Sequence, residues 1–123
     1  MSDIAHIIDT YLDAYGEPDP ARRRKLIEAC FAANGYLADP PFDATGHDAL
    51  DATFATVQGH YPGHTFRRTS DIDVHHNVAR YGWEFFGPNG TVAVAGIDIA
   101  RIDDDGKLAT VTGFFGPLPA LVA

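Results

Sequence analysis

One carboxylate interrupts an apolar stretch near the C-terminal end of the sequence, in surroundings that could support acid–base chemistry. Asp98 lies in the predicted strand Thr91 to Ile102, and its neighbours on the same face, Gly96 and Ala100, are small. Because burial disfavours the charged form, we expect the pKa of Asp98 to be raised and its carboxyl group to donate a hydrogen bond. The alternative is that Asp98 faces the other way and meets an arginine or solvent.

A second candidate carboxylate, Asp39, ends a short predicted strand, Tyr36 to Asp39, directly before Pro40-Pro41. Prolines stiffen the backbone at this point and offer no amide N–H group to the carboxylate. A carboxylate held beside apolar residues at the mouth of a cavity could act as a general base. From the local pattern alone, an aspartate that starts a turn is the more common occurrence.

Tyrosines and other aromatic residues could complete such a site. Tyr11 and Tyr15 lie on the apolar stripe of the first predicted helix, so each hydroxyl needs a hydrogen-bond partner or a cavity. Phe54, Trp83 and Phe115 belong to a larger aromatic set that either fills the core or lines a pocket for a flat, apolar ligand. We predict them, with Tyr15, as substrate-binding residues.

The six histidines and the single cysteine show no spacing typical of a metal site. A phosphate-binding glycine loop and a nucleophilic serine elbow are also missing from the sequence, so we predict neither a metal nor another cofactor. His76 has the same strand parity as Val74 and Ile72. It is therefore a candidate for a polar contact in the cavity, with a structural histidine as the alternative.

Length and charge limit the partners of the protein. The 123 residues suit a single domain, residues 1–123, and the formal net charge of −8 argues against binding to nucleic acid or anionic membranes. The sequence contains no apolar run long enough to span a membrane, and its acidic start is unlike a signal peptide. With one cysteine, Cys30, a reducing cytoplasm is the expected compartment.

The residues before Pro62 repeat apolar side chains at helical spacing and predict three helices. Ser2 is the predicted cap of the first helix, and Asp19, followed by proline, opens the second, which Asn34-Gly35 ends. Thr45 and Asp48 resemble a capping box for the third.

After Pro62 the apolar spacing becomes twofold, which predicts strands. The predicted strands are His64 to His75, Val78 to Phe86, Thr91 to Ile102 and Leu108 to Phe115. Helices followed by a strand meander indicate an α+β fold, a curved antiparallel sheet with helices on one face. Both faces of the Thr91 to Ile102 strand are largely apolar, although helices can cover only one. We therefore expect a homodimer formed through the outer face of the sheet.

This order of elements resembles the nuclear transport factor 2-like (NTF2-like) superfamily, and within it the SnoaL-like and ketosteroid isomerase-like proteins. The resemblance runs from Ile4 to Phe115 and is carried by Tyr11-Leu12-Asp13-Ala14, Ala38-Asp39-Pro40 and Gly96-Ile97-Asp98. It implies a cone-shaped sheet whose concave face is covered by three N-terminal helices, with a closed apolar cavity between them.

The resemblance also implies a chemistry. In the isomerase, a carboxylate moves a proton from a carbon beside a ketone, while a tyrosine and a neutral aspartic acid stabilise the negative oxygen. Carried over, Asp39 is the base, Tyr11 and Asp98 are the donors, and the ligand is an apolar carbonyl compound that is isomerised or cyclised. A non-catalytic ligand-binding or dimerisation module, and an epoxide hydrolase-like or dehydratase activity, are the alternatives.

Overall fold

Three helices and seven strands make up the chain from Asp3 to Val122, the residues that the structure, a computed structural model, describes. The helices are α1 (Ile4–Tyr15), α2 (Pro20–Cys30) and α3 (His47–His60). The strands are β1 (Phe31–Asp39), β2 (Phe42–Thr45), β3 (Thr65–Arg68), β4 (Asp73–His75), β5 (Val78–Phe86), β6 (Val92–Ile102) and β7 (Leu108–Phe115).

Aspartate side chains cap the first two helices. The Asp3 carboxylate accepts the backbone N–H of His6 at 3.0 Å, and the Asp19 carboxylate accepts that of Arg22 at 2.9 Å. These bonds satisfy donors that the first turn of a helix leaves free. The prediction for Asp19 is confirmed, whereas the predicted cap Ser2 lies outside the described residues.

Two predicted helix boundaries are wrong. The cap of α3 is Gly46, with no side-chain hydrogen bond, because Thr45 is the last residue of β2 and does not form a capping box. Helix α2 ends at Cys30, and Phe31 already has the extended backbone of β1. Gly35, predicted as part of a helix stop, lies in β1, where a Cβ would come within 2.7 Å of the Phe31 ring.

The strands form one sheet in the order β2-β1-β7-β6-β5-β3, with β4 beside β5. The long meander β5-β6-β7 is antiparallel, as predicted. Strand β1 instead runs parallel to β7, so the sheet is mixed. The α+β architecture of a curved, open sheet with three helices is confirmed. No helix between Asp3 and Val122 is long and apolar enough to cross a membrane.

The predicted strand from His64 to His75 is divided into β3 and β4. At Thr69 the chain leaves the sheet, and the Ser70 hydroxyl accepts the backbone N–H of Gly82 at 2.9 Å. The Ser70 hydroxyl thus takes the place of a backbone acceptor for β5. For this reason the alternation of polar and apolar residues continues past Arg68, although the strand ends there.

The two faces of the sheet carry different residues. Three inner residues of β5 and β6, Tyr81, Trp83 and Asp98, are only 2% to 3% exposed because they face the helices and the core. On the outer face, Ile97 and Phe114 are 45% and 59% exposed. The predicted alternation is therefore present, and Asp98 has the inner orientation.

Candidate active site

A row of four residues crosses the inner face of the sheet and contains both candidate carboxylates. Tyr81 of β5 is paired with Asp98 of β6, and Asp98 is paired with Gly113 of β7. In the parallel β1–β7 pair, Ala38 is paired with Thr112. The next residues of the two strands, Asp39 and Gly113, therefore also lie side by side. The order across the sheet is therefore tyrosine, aspartate, glycine, aspartate.

Gly113 lets the two carboxyl groups approach one another. A Cβ built on Gly113 would lie 2.5 Å from Asp39 Oδ1 and 3.1 Å from Asp98 Oδ1. Side chains of neighbouring strands on one face ordinarily contact each other across the sheet. Because glycine contributes none, both aspartates lean over the same position from opposite sides.

Asp98 is 3% exposed, and its Oδ2 accepts a hydrogen bond of 2.9 Å from the Tyr81 hydroxyl. Burial raises the pKa of the Asp98 carboxyl to about 7, and the negative charge of Asp39 adds to the rise. Hydrogen bonding by Tyr81 opposes it, and so does the nearby indole N–H of Trp83. Asp98 is thus poised to hold a proton near neutral pH.

Asp39 is 6% exposed and depends on helix α1 for its hydrogen bond. The Tyr15 hydroxyl donates to Asp39 Oδ2 at 2.7 Å, whereas Oδ1 has no donor among the described residues. Burial raises the pKa of Asp39, and the bond from Tyr15 lowers it by a smaller amount. A carboxylate with a raised pKa and one free oxygen has the properties of a general base.

Tyr11, the predicted catalytic tyrosine, is 2% exposed beside these groups. Its hydroxyl has no hydrogen-bond partner in the part of the chain that the structure describes. Burial, followed by the negative charge of Asp98, raises the pKa of Tyr11 well above its ordinary value, so the phenol keeps its proton. It is available as a donor, while Tyr15, predicted as a substrate contact, is committed to Asp39.

No cation neutralises this pair of carboxyl groups. Between Asp3 and Val122, neither Asp39 nor Asp98 makes an ion pair with lysine, arginine or histidine. On the outer face, by contrast, Asp73 is bonded by Arg80 at 2.7 Å. A buried carboxylate without a cation is stabilised either by a proton or by a ligand that can supply positive charge or donors.

An apolar cavity of about 460 Å³ opens next to Asp39. Aromatic side chains dominate its wall, and the lining includes four of the predicted site residues: Tyr15, Asp39, Trp83 and Phe115. Its other lining residues are Pro40, Pro41, Phe42, Thr56, Val57, His60, Tyr61, Phe66, Phe85 and Val94. The cavity has the composition of a site for a small, largely apolar ligand.

Three predicted site residues lie behind this wall. Tyr11 and Asp98 are buried and do not line the open cavity. Phe54 is fully buried and stacks on the Tyr15 ring, with 4.3 Å between ring centroids. It therefore orients the tyrosine that bonds Asp39 and does not meet the cavity itself.

The prediction that His76 faces the cavity is wrong. His76 is exposed in the turn between β4 and β5, with a positive φ of 53°, and its ring packs against that of the neighbouring His75. The chain turns at His76, so the side chain of this residue no longer follows the strand alternation that would place it on the same face as Val74. A histidine-assisted reaction at Asp98 has no support from this residue.

Two larger depressions, of about 720 and 700 Å³, lie beside α1. Neither is lined by Asp39 or Asp98, and charged side chains contribute to both walls. In the first, Arg68 is already bonded to Asp9 at 2.9 Å. The smaller aromatic cavity is the better candidate because it meets the buried carboxyl groups.

Sequence reasoning missed Tyr81 as a partner and Gly113 as a spacer. Tyr81 was one of several aromatic residues, and its pairing with Asp98 depends on the register of β5 on β6. The turn Gly87 to Gly90 limits that register, so this pairing could have been found. Gly113 lies between the two aspartates because β1 pairs in parallel with β7, and no pattern in the sequence predicts that pairing.

Comparison with known proteins adds the fold family. Neither a protein-family model nor a curated protein matches the chain. A candidate isomerase of the SnoaL-like family from Agrobacterium tumefaciens has a TM-score of 0.87 and 29% identity, covering 95% of this chain and 100% of its own. The chain has the NTF2-like fold of SnoaL-like proteins.

More distant NTF2-like structures show the same fold. A candidate polyketide cyclase from Sinorhizobium meliloti has a TM-score of 0.69 and 17% identity, covering 89% of this chain and 94% of its own. A ketosteroid isomerase-like protein from Catenulispora acidiphila, solved with trimethylamine, has a TM-score of 0.71 and 14% identity, covering 88% and 83%. The NTF2-like superfamily therefore accommodates several candidate activities on the architecture described above.

Proposed function

We propose that this NTF2-like protein catalyses cofactor-independent proton transfer on an apolar carbonyl compound, with isomerisation or cyclisation as the result. One observation carries the proposal: Asp39, a buried carboxylate with a raised pKa and no cation partner among the described residues, lines an aromatic cavity. A carboxyl group in that state can take a proton from a weak carbon acid more readily than an exposed carboxylate can.

In the proposed reaction, the Asp39 carboxylate takes a proton from the carbon next to the carbonyl group. The C–H bond breaks, its electron pair moves toward the carbonyl oxygen, and an enolate forms. Return of the proton to another carbon gives an isomer, whereas attack of the enolate on a second carbonyl carbon closes a ring. Hydrogen-bond donors near the oxygen lower the barrier to either route.

Tyr11 and Asp98 are the proposed donors to that oxygen. Tyr11 keeps its phenolic proton, and the raised pKa of Asp98 favours its neutral, donating form. Because neither residue lines the open cavity, the proposal requires the carbonyl end of the ligand to enter below Asp39. Trp83, Phe115 and Tyr15 then form the apolar walls along the rest of the ligand.

The cavity also indicates the class of ligand. None of the described residues that line it is lysine or arginine, so an anionic substrate would meet buried carboxyl groups without a compensating charge. Its volume of about 460 Å³ and its aromatic wall suit a neutral, flat molecule. We therefore propose neutral ketones with fused or conjugated rings as the first substrates to test.

An absorbance assay for conversion of a 3-oxo-Δ5 steroid to its conjugated isomer tests the steroid form of this proposal. Wild type, Asp39→Asn and Asp43→Asn are compared, because Asp43 lies on the same hairpin but is exposed. Activity that survives in Asp43→Asn and is lost in Asp39→Asn is expected. Equal activity in all three proteins would contradict the role of Asp39.

A second candidate function is non-catalytic binding of a small organic amine. Aromatic faces and an unpaired buried carboxylate are the groups that bind ammonium ions, and the ketosteroid isomerase-like neighbour was solved with trimethylamine. Calorimetric titration with a tetraalkylammonium ion and with its neutral tert-butyl analogue separates the two functions. Preference for the cation favours amine binding, and preference for the neutral compound favours the carbonyl substrate.

We also propose that the protein forms a homodimer through the outer face of its sheet. Ile97 and Phe114, neighbours in the β6–β7 register, expose 45% and 59% of their surface there. Sedimentation velocity of wild type and of Phe114→Lys is the test. A dimer that the substitution dissociates is expected, and a wild-type monomer at all concentrations would contradict the proposal.

A further inference from the structure

The carboxyl groups of Asp39 and Asp98 both point toward the space above Gly113. Both Oδ1 atoms lie within 3.1 Å of the point where a Cβ of Gly113 would be, while both Oδ2 atoms are bonded to tyrosines. Asp39 Oδ1 has less than 1 Å² of exposed surface and no hydrogen-bond donor among the described residues. A buried acceptor of this kind is costly unless a donor reaches it.

Two described groups beside this position could donate to Asp39 Oδ1: the carboxyl group of Asp98 when it holds a proton, and the Tyr11 hydroxyl, which has no other partner among the described residues. The polar side chains of the surrounding elements are Tyr11 and Tyr15 of α1 and Tyr81 and Trp83 of β5, all uncharged. From α3, His60 lines the cavity but is bonded to the carbonyl of Thr56, and β7 contributes Gly113. Two carboxylates in these surroundings repel one another, and a single proton removes that repulsion.

We propose that Asp39 and Asp98 share one proton across Gly113, and that this pair is the proton-transferring unit of the site. Asp98 carries the proton on Oδ1 and donates it toward Oδ1 of Asp39. In this arrangement Tyr81 and Tyr15 fix the outer oxygens. The bond between the two carboxyl groups belongs to the empty site, and once a ligand is bound Asp98 donates the same proton to the carbonyl oxygen instead. The claim that the pair transfers protons to and from a substrate rests on the proposed function. The claim that the two carboxyl groups share a proton does not.

The number of protons on the Asp39–Asp98 pair can be followed through the proposed reaction. In the empty site the pair holds one proton and one negative charge. When the Asp39 carboxylate takes a proton from the substrate carbon, the pair holds two protons and the charge lies on the enolate oxygen. When the proton returns to carbon, the pair again holds one. The electron pair of the broken C–H bond stays on the substrate throughout, so no oxidant or reductant is needed.

Gly113 is the residue on which the pair depends. Alanine at this position would place a methyl group where the two carboxyl oxygens converge, 2.5 Å from Asp39 Oδ1. Neither carboxyl group nor either tyrosine would be changed chemically. Gly59→Ala is the matched control, because a Cβ on Gly59 of α3 meets nothing within 4 Å.

Carboxyl ¹³C NMR of protein labelled at aspartate, recorded as a function of pH without any substrate, tests the shared proton. In wild type we expect the Asp39 and Asp98 signals to follow the same two titration steps, because coupled groups titrate as a pair. In Asp39→Asn the Asp98 signal should follow one step at lower pH, since the charge that raised its pKa is gone. Asp98→Asn should likewise leave one step for Asp39.

The remaining variants make the test selective. Gly113→Ala should reduce the two coupled steps to separate single steps, and Gly59→Ala and Asp43→Asn should leave them unchanged. If Asp98 titrates at the same pH in wild type and Asp39→Asn, the shared proton is refuted. Should Gly113→Ala fail to fold, the two aspartate variants still decide the result.

Failure of the shared proton and failure of the proposed function give different results. Coupled titration in a protein that turns over no carbonyl compound supports the pair and contradicts the proposed function. Turnover that depends on Asp39, in a protein whose two carboxyl groups titrate independently, supports the proposed function and contradicts the shared proton. In that case Asp39 would act alone as the base.

Discussion

Two tyrosine–aspartate pairs occur at the β1–β2 hairpin, and they differ mainly in burial. In the first, the Tyr15 hydroxyl donates to Asp39 at 2.7 Å, inside the site. In the second, the Tyr36 hydroxyl donates to Asp43 at 3.1 Å, on the exposed outer side. The two pairs therefore share the hydrogen bond and differ in their access to water.

Desolvation is what distinguishes the inner pair. Loss of water raises the pKa of Asp39 by more than the bond from Tyr15 lowers it. At the outer pair Asp43 is exposed, so water remains available to its carboxylate. The inner pair also lies beside Asp98 and the aromatic cavity, where we propose that a proton is exchanged with a ligand.

Removing the carboxylate of each pair should give the largest difference. Asp39→Asn cannot accept a proton, so turnover of a carbonyl substrate should fall by about 10²- to 10⁴-fold. Asp43→Asn removes the carboxylate of the exposed Tyr36–Asp43 pair and should change turnover by less than about twofold. Steady-state rates with the same substrate measure both. Similar losses in the two variants would mean that burial does not distinguish the pairs.

Replacing Asp98 should change how stability depends on pH. An unfolded aspartate ionises near pH 4, whereas burial raises the pKa of folded Asp98 to about 7. The wild-type contribution is therefore fully present below pH 4 and is lost as pH rises from about 4 to about 7. Relative to Asp98→Asn, wild type should lose about 2 to 4 kcal/mol of unfolding free energy across that range.

Urea unfolding of both proteins at a series of pH values measures this difference. Above pH 7 the difference should become constant, because Asp98 is then ionised in both states. The raised pKa of Asp39 contributes a slope of the same sign to both proteins. Because the two carboxyl groups are proposed to be coupled, the difference between the proteins measures the loss of the Asp39–Asp98 pair and not of Asp98 alone. A difference that stays flat from pH 4 to pH 7 would show that Asp98 is ionised in the folded protein throughout.

Closing the space over Gly113 should have a smaller effect on stability. The added methyl group of Gly113→Ala overlaps Asp39 Oδ1, and such crowding costs about 1 to 3 kcal/mol. Gly59→Ala adds the same methyl group to an open position in α3 and should stabilise the protein by up to about 1 kcal/mol. Thermal unfolding of both variants gives the comparison. A stable Gly113→Ala would show that the inner pair tolerates separation.

Removing the two tyrosine hydroxyls should have the smallest effect on turnover, about tenfold for Tyr15→Phe at neutral pH. Without the bond from Tyr15, the pKa of Asp39 should rise further, moving the pH at which activity appears to a higher value. Tyr36→Phe should leave the pH profile unchanged, since its partner is exposed. A shift toward lower pH in Tyr15→Phe would contradict the assigned role of the hydroxyl.

The sequence was informative where a residue's surroundings are local. Asp98 faces inward because strand alternation places it on the same face as Ala100, and this was predictable. Asp39 could be singled out beside its prolines, but its burial depends on α1 and β7, which are distant in sequence. His76 was misplaced because a turn with positive φ ends the alternation on which the prediction relied.

The parts of the site that the sequence did not reveal are those that depend on strand pairing. Gly113 is one of twelve glycines, and nothing near it in the sequence marks it as the point where two carboxyl groups converge. Likewise, Tyr15 was predicted as a substrate contact, although its hydroxyl is used by Asp39. A chain can carry the right residue types, while their roles are set by partners brought together from distant segments.

Exchange of substrate protons with solvent tests the central claim most directly, because it needs no knowledge of the product. Neutral cyclic ketones that bind the protein are incubated in D₂O, and loss of the proton signal beside the carbonyl is followed by NMR. Wild type and Asp43→Asn should accelerate the exchange well above the protein-free rate, and Asp39→Asn should not. Equal acceleration by Asp39→Asn, or none by wild type with any bound ketone, would contradict proton transfer by Asp39.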